Sequence, residues 1–225
     1  MIRKFSGNGW FSWLFLLLVL LPAAAMGEVP SLDELASKVQ SKYDRAEDLK
    51  ARFVQVATFK TMGRTIREEG TVYFRKPKRM LWDYRVPSEK KLVVNPQDAW
   101  LYLPEDGVAY LQPTDSLLKG KMTIRFLTGL GTLREEFDLS RPPGGAVDEK
   151  GNYVMDLRPK NPELGITVLT MTVDRNTFLV TGFRFSDIYG NRTELVFEDT
   201  AVNTGLSDDL FNFSPPPGTE IYRVP

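Results

Sequence analysis

Histidine and cysteine are both absent from this 225-residue chain, and each absence removes classes of function. Without histidine there is no Ser-His-Asp triad and none of the usual zinc sites. Without cysteine there are no disulfide staples, so in an oxidising compartment the fold must stand on its core alone. Lipid attachment through a cysteine is excluded as well. Neither charge is in excess, with 29 Lys and Arg against 29 Asp and Glu. No basic field exists to recruit nucleic acid or an anionic membrane surface. Beyond the N-terminus, no apolar run is long enough to span a bilayer.

What is there begins with Arg3 and Lys4, an apolar run from Trp10 to Leu21, then Pro22 and the small residues Ala23, Ala24 and Ala25 before Met26 and Gly27. That order is a secretory signal. Ala23-x-Ala25 and Ala25-x-Gly27 both suit cleavage, and the run is shorter than the ~20 residues of a spanning helix. Residues 1–27 are therefore expected to be a signal peptide, and residues 28–225 one domain with a core of its own. Losing Arg3 and Lys4 leaves 27 basic against 29 acidic residues.

Ser31-Leu32-Asp33-Glu34 is a capping box, and Leu32, Leu35, Ala36, Val39, Tyr43 and Ala46 follow at helical spacing. The pattern predicts an amphipathic helix from Ser31 to about Asp48. From Leu49 the period becomes two, starting with Ala51, Phe53, Gln55, Ala57 and Phe59. Strands are expected at Gly70–Phe74, Met80–Val86, Lys91–Val94, Ala99–Leu103 and Val108–Leu111, an antiparallel meander punctuated by prolines and an Asp-Gly turn. Between Asp115 and Leu139 the spacing turns helical, with Gly129 and Gly131 as hinges and a second capping box at Thr132–Glu135. Four more strands follow at Tyr153–Arg158, Ile166–Val173, Leu179–Ser186 and Thr193–Phe197. About ten strands with two helical inserts imply one strongly curved sheet, incompletely closed, whose concave face the helices plug.

Catalytic spacing is missing. Glu68-Glu69, Glu135-Glu136 and Asp208-Asp209 are adjacent pairs that point apart on a strand or helix, and they read as solvated surface charge. Gly129-Leu130-Gly131 lacks the lysine and hydroxyl of a phosphate loop. The aromatic residues are more informative. Val72 and Phe74 share a parity, as do Met80, Trp82 and Tyr84, on two adjacent strands around a Lys-Pro-Lys-Arg corner. Such a face serves either as an ordinary core or as a holder of something apolar. Lys76 shares the parity of Val72 and Phe74, so it points toward the concave face and needs carbonyl partners there, for which the insert helices are candidates. If the corner breaks the alternation, Lys76 is merely exposed.

Taken in order, Phe53-x-Gln55, Gly70-x-Val72-x-Phe74-x-Lys76-Pro77, Trp82-x-Tyr84-x-x-Pro87, Trp100-x-Tyr102-x-Pro104 and Phe211-x-Phe213-x-Pro215-Pro216-x-Gly218 resemble the LolA family of periplasmic lipoprotein carriers. The resemblance implies an unclosed antiparallel half-barrel of ten or eleven strands, covered by an N-terminal helix and short insert helices. It implies a monomeric carrier with no cofactor, no metal and no catalysis. Acyl chains of lipoproteins would occupy an apolar cavity formed by Phe53, Val72, Phe74, Met80, Trp82, Tyr84 and Trp100. Leu118, Ile124, Leu127 and Leu130 would form a lid. The family's arginine before the corner proline, which holds the lid closed, is replaced here by Lys76, with Arg75 beside it. Implied partners are an inner-membrane ABC transporter (LolCDE-like), which loads the carrier, and an outer-membrane receptor (LolB-like), which unloads it. Contact with the membrane is transient. No further C-terminal strand is expected before Pro225. The alternatives are a sensor resembling the envelope-stress regulator RseB, and a carrier of another lipid such as a glycolipid.

Overall fold

The computed structural model describes residues 28–119, 132–161 and 165–224, which leaves the expected signal peptide outside. Helix α1 (Leu32–Asp44) starts where the sequence requires: the Ser31 hydroxyl accepts from the Glu34 amide while the Glu34 carboxylate accepts from the Ser31 amide. Its buried side is Leu35, Ala36, Val39 and Tyr43.

Among the described residues, twelve strands form one sheet. They are β1 (Asp48–Phe59), β2 (Arg64–Arg75), β3 (Arg79–Val86), β4 (Lys90–Val94), β5 (Asp98–Leu103), β6 (Val108–Pro113), β7 (Phe137–Ser140), β8 (Tyr153–Pro159), β9 (Ile166–Val173), β10 (Val180–Asp187), β11 (Arg192–Val202) and β12 (Glu220–Arg223). Their spatial order is β12-β6-β5-β4-β3-β2-β1-β11-β10-β9-β8-β7, with β12 and β7 at its two ends. Among the described residues the insert supplies α2 (Thr114–Lys119) and the single turn α3 (Leu133–Glu136). The fold is thus mainly β and unclosed.

Three expectations are corrected. A strand does follow the proline-rich segment: β12 lies parallel to β6, pairing Tyr222 with Tyr110 and Ile221 with Ala109. Helix α1 ends at Asp44, and Asp48, read as the last helical residue, opens β1. The second capping box does not form, since Thr132 makes no side-chain cap, and Phe137–Leu139, read as helical, belong to β7. Four residues are too few for strand alternation to outweigh a helical pattern running into them.

Asp48 explains its own displacement. Its carboxylate accepts from the Thr204 amide and hydroxyl and from the amides of Gly205 and Leu206, at 2.7 to 3.1 Å. A helical Asp48 could not reach that loop. Burial pushes this carboxyl up, but the Thr204, Leu206 and Gly205 donors outweigh it and hold it below its usual value. A lowered native value contributes stability that is present above the ordinary carboxylate range and disappears as pH falls through the lowered one. Asp48→Asn is expected to cost on the order of 3 kcal/mol at pH 7, and less once acid has protonated the parent. Denaturant unfolding of both chains at pH 7 and pH 3 checks this; a gap that fails to narrow at pH 3 refutes it.

The sheet has two apolar faces. On the concave one, α1 covers a core drawn from strands across the sheet, from Val94 and Met80 through Phe53 to Phe183 and Leu157. On the convex one, the segment after β11 folds back over β2–β5, burying Phe211 against Leu81 and Val93.

Candidate functional site

The centre of the concave face is built around one glycine. Phe53 on β1 pairs with Gly70 on β2, and Gly70 with Tyr84 on β3. A Cβ on Gly70 would lie 2.1 Å from the Asp83 carbonyl oxygen and 2.9 Å from the Phe53 ring. The missing side chain lets the Phe53 ring lie across β2, edge-on to Trp82 at 4.7 Å and to Tyr84 at 4.9 Å between centroids. Phe74 and Phe197 also meet the Trp82 ring, at 6.2 and 6.3 Å between centroids. The Trp82 indole N–H donates to the Met80 sulfur at 3.0 Å, a weak acceptor suited to an otherwise apolar surface.

The structure therefore brings Phe53, Val72, Phe74, Met80 and Trp82 together, none more than 5% exposed. Tyr84 is half-buried beside them. Here the sheet's own side chains and α1 fill the space. Trp100 does not join the group. Paired with Val93, it projects from the convex face, where its ring packs on Phe213 at 5.7 Å. It anchors the C-terminal segment instead. The reason is register: Ala99, not Trp100, shares the concave row with Val94 and Met80. Of the lid residues, Leu118 is buried in the concave core, and Ile124, Leu127 and Leu130 lie outside the described residues.

Lys76 is turned inward, and its partners among the described residues lie on α1 and not on the insert. Its Nζ donates to the carbonyls of Tyr43 and Asp44 at 2.7 and 2.9 Å, the C-terminal end of α1. There the helix carries partial negative charge, so a cation is well suited. The neighbouring cations divide the remaining work of the corner. Lys78 pairs with Asp115 at the start of α2, while Arg75 and Arg79 both reach Asp208 at 2.9 Å. Arg75 also donates to the Leu206 carbonyl at 2.7 Å. One turn thus fastens α1, the insert and the C-terminal segment to the sheet. Elsewhere α1 is held by the Tyr43 hydroxyl, which accepts from the Val180 amide, and by Arg134, which donates to the Asp33 carbonyl at 2.7 Å.

Two acidic residues have partners that the sequence does not show, although Asp208 stays on the surface with its side chain 55% exposed. Asp208 is the common anchor of two arginines. Glu68 faces the concave side with its side chain 16% exposed, accepting from Gln55 Nε2 at 3.0 Å and from Lys90 Nζ, which lies 4.3 Å from the centre of the Tyr84 ring. Burial, with the Glu68 charge adding to it, pushes the Tyr84 hydroxyl well above its usual value. Gln55 carries a signal in its parity with Phe53, but Lys90 is hidden because the sequence does not show where β4 begins.

Comparison with known proteins agrees with this architecture. The outer-membrane lipoprotein carrier protein of Methylococcus capsulatus is 27% identical over 214 residues, covering 93% of this chain and 98% of that one. The protein of the same name from Nitrosomonas europaea is 23% identical over 209 residues, covering 92% and 98%. A solved structure of an uncharacterized conserved protein from Thermus thermophilus aligns with a TM-score of 0.54 at 14% identity, over 87% of this chain and 100% of that one. That last likeness concerns the fold alone. The family model for the outer membrane lipoprotein carrier protein LolA matches residues 44–214, and with most of its length so matched the chain belongs to the LolA family.

Proposed function

We propose that this chain ferries acylated lipoproteins across the periplasm, holding their acyl chains against the concave face while α1 is displaced. The observation that carries the reading is that face itself: aromatic, set around Gly70, and covered by a helix whose end is fastened through Lys76. Each acyl methylene left in water costs about 0.8 kcal/mol, so a multiply acylated protein needs an escort. The escort must also let go. A site filled by its own side chains subtracts the free energy of closing from that of binding, which permits release.

On this reading residues 1–27 are a signal removed on export, and residues 28–225 act as a monomeric carrier with no cofactor and no catalysis. Loading falls to a LolCDE-like ABC transporter in the inner membrane, and unloading to a LolB-like receptor in the outer membrane. The chain itself touches membranes only transiently.

The test is transfer of a labelled lipoprotein from transporter-bearing proteoliposomes to the chain recovered from a periplasmic fraction, and onward to the receptor. The parent is expected to emerge as a soluble complex with cargo. Trp82→Asp is expected to lose that complex, because a carboxylate among Phe53, Phe74 and Phe197 costs several kcal/mol. Circular dichroism of the variant separates lost binding from lost folding. A parent chain that leaves the cargo in the membrane refutes the proposal.

A further inference from the structure

The polar residues on the concave face suggest how the site treats the part of a ligand that is not apolar. Gln55 lies two positions beyond Phe53 on β1, and Glu68 two positions before Gly70 on β2, so both occupy the row next to the aromatic group. Two residues of strand are about 6.6 Å, well within the reach of one lipid's polar end once its chains lie on Trp82. Lys90, paired in register with Tyr84, leans over that ring to Glu68. A largely buried ion pair on an otherwise apolar face gives the fold little, since well-packed apolar residues there would be about as stable. Its presence calls for another account.

We propose that Gln55, Glu68 and Lys90 form a subsite for the glyceryl-cysteinyl junction where acyl chains meet a peptide. This rests on the carrier reading and adds a basis for its selectivity. The subsite offers donors, in the Lys90 ammonium and the Gln55 amide, beside an acceptor, in the Glu68 carboxylate. An acylated cysteinyl peptide matches both, with ester and amide carbonyls for Lys90 and Gln55 and an N–H or ammonium for Glu68. A free fatty acid matches only the donors, and its carboxylate is repelled by Glu68. In the closed chain these groups satisfy one another, so they are not left unpaired when cargo departs.

The experiment measures quenching of tryptophan fluorescence by two probes, a synthetic dipalmitoyl-glyceryl-cysteinyl peptide and palmitate. It compares the parent with Glu68→Gln and Lys90→Met, with thermal unfolding recorded for each. The parent is expected to prefer the peptide. Glu68→Gln should weaken peptide binding about tenfold, equivalent to about 1.4 kcal/mol, while tightening palmitate binding severalfold. Lys90→Met should weaken both. If either variant does not fold, the other together with Gln55→Leu, which should weaken the peptide alone, carries the comparison. Peptide and palmitate affinities that stay at parental values in the folded variants overturn the subsite and leave acyl carriage standing. A parent that binds neither probe overturns the carrier reading and the subsite with it.

Discussion

Lys76→Leu is expected to bind cargo about thirtyfold more tightly than the parent and to deliver it to the receptor more slowly. Lys76 Nζ makes two short bonds to the carbonyls of Tyr43 and Asp44. Bonds from a charged donor are worth about 1.5–3 kcal/mol each where water does not compete, but this side chain is partly solvated. We take about 2 kcal/mol for the pair, which is roughly thirtyfold in the ratio of closed to open chain. Because apparent affinity scales with the fraction of chain that is open, the same factor appears in binding. Leucine removes the charge and leaves an apolar group that acyl chains tolerate. Lys76→Arg should move the other way, since two carbonyls on successive residues suit a planar fork that can reach both. Equilibrium binding and receptor transfer, measured for all three chains, decide the matter. If Lys76→Leu matches the parent in both, the bond to α1 does not set the closing equilibrium and the closing element is held elsewhere. The Lys78–Asp115 pair at α2 is then the next to test.

Gly70→Ala is expected to be the most damaging single methyl group in the sheet. Its Cβ would meet the Asp83 carbonyl oxygen at 2.1 Å, and that oxygen belongs to the backbone of the next strand. Relief requires separating β2 from β3 and also moving the Phe53 ring, which would undo its contacts with Trp82 and Tyr84. Overpacking of this kind costs about 3 kcal/mol or more, which for a domain of this size lowers the melting temperature by about 10 °C. Gly144→Ala is the control, since nothing lies within 4 Å of its added Cβ and its φ lies outside the left-handed region. Calorimetry on both variants checks the contrast. A Gly70→Ala chain melting with the parent would show that the strand pair is more pliable than its geometry implies.

Much of this is legible in the sequence, for identifiable reasons. The capping box at Ser31 forms because its hydrogen bonds close within four residues. The concave set Val72, Phe74, Met80, Trp82 and Tyr84 is readable because strand parity is a local property and each strand is long enough to show it. Trp100 defeats the same reading for the complementary reason. Its strand alternates Ala99, Leu101 and Leu103 against Trp100 and Tyr102, with large apolar groups on both faces, and parity alone does not say which set faces inward. The convex cluster around Phe211 makes that choice, and its residues come from β3, β4 and a segment more than a hundred positions away.

The sequence by itself determined the composition of the chemistry and the strand-by-strand pattern. With no histidine and no cysteine, and with apolar residues at period two, it specifies a curved β-sheet bearing an aromatic surface. Only the tertiary structure decided what each charge does. Lys76, Lys78, Arg75 and Arg79 form one basic run in sequence, but the turn sends them to α1, to α2 and to Asp208. Glu68 reads as half of an acidic pair, but β1 and β3–β4 bring it Gln55 and Lys90. The physical reason is range. Parity and capping act within a few residues, whereas the partner of a charge is fixed by strand register and by segments that close over the sheet from far along the chain.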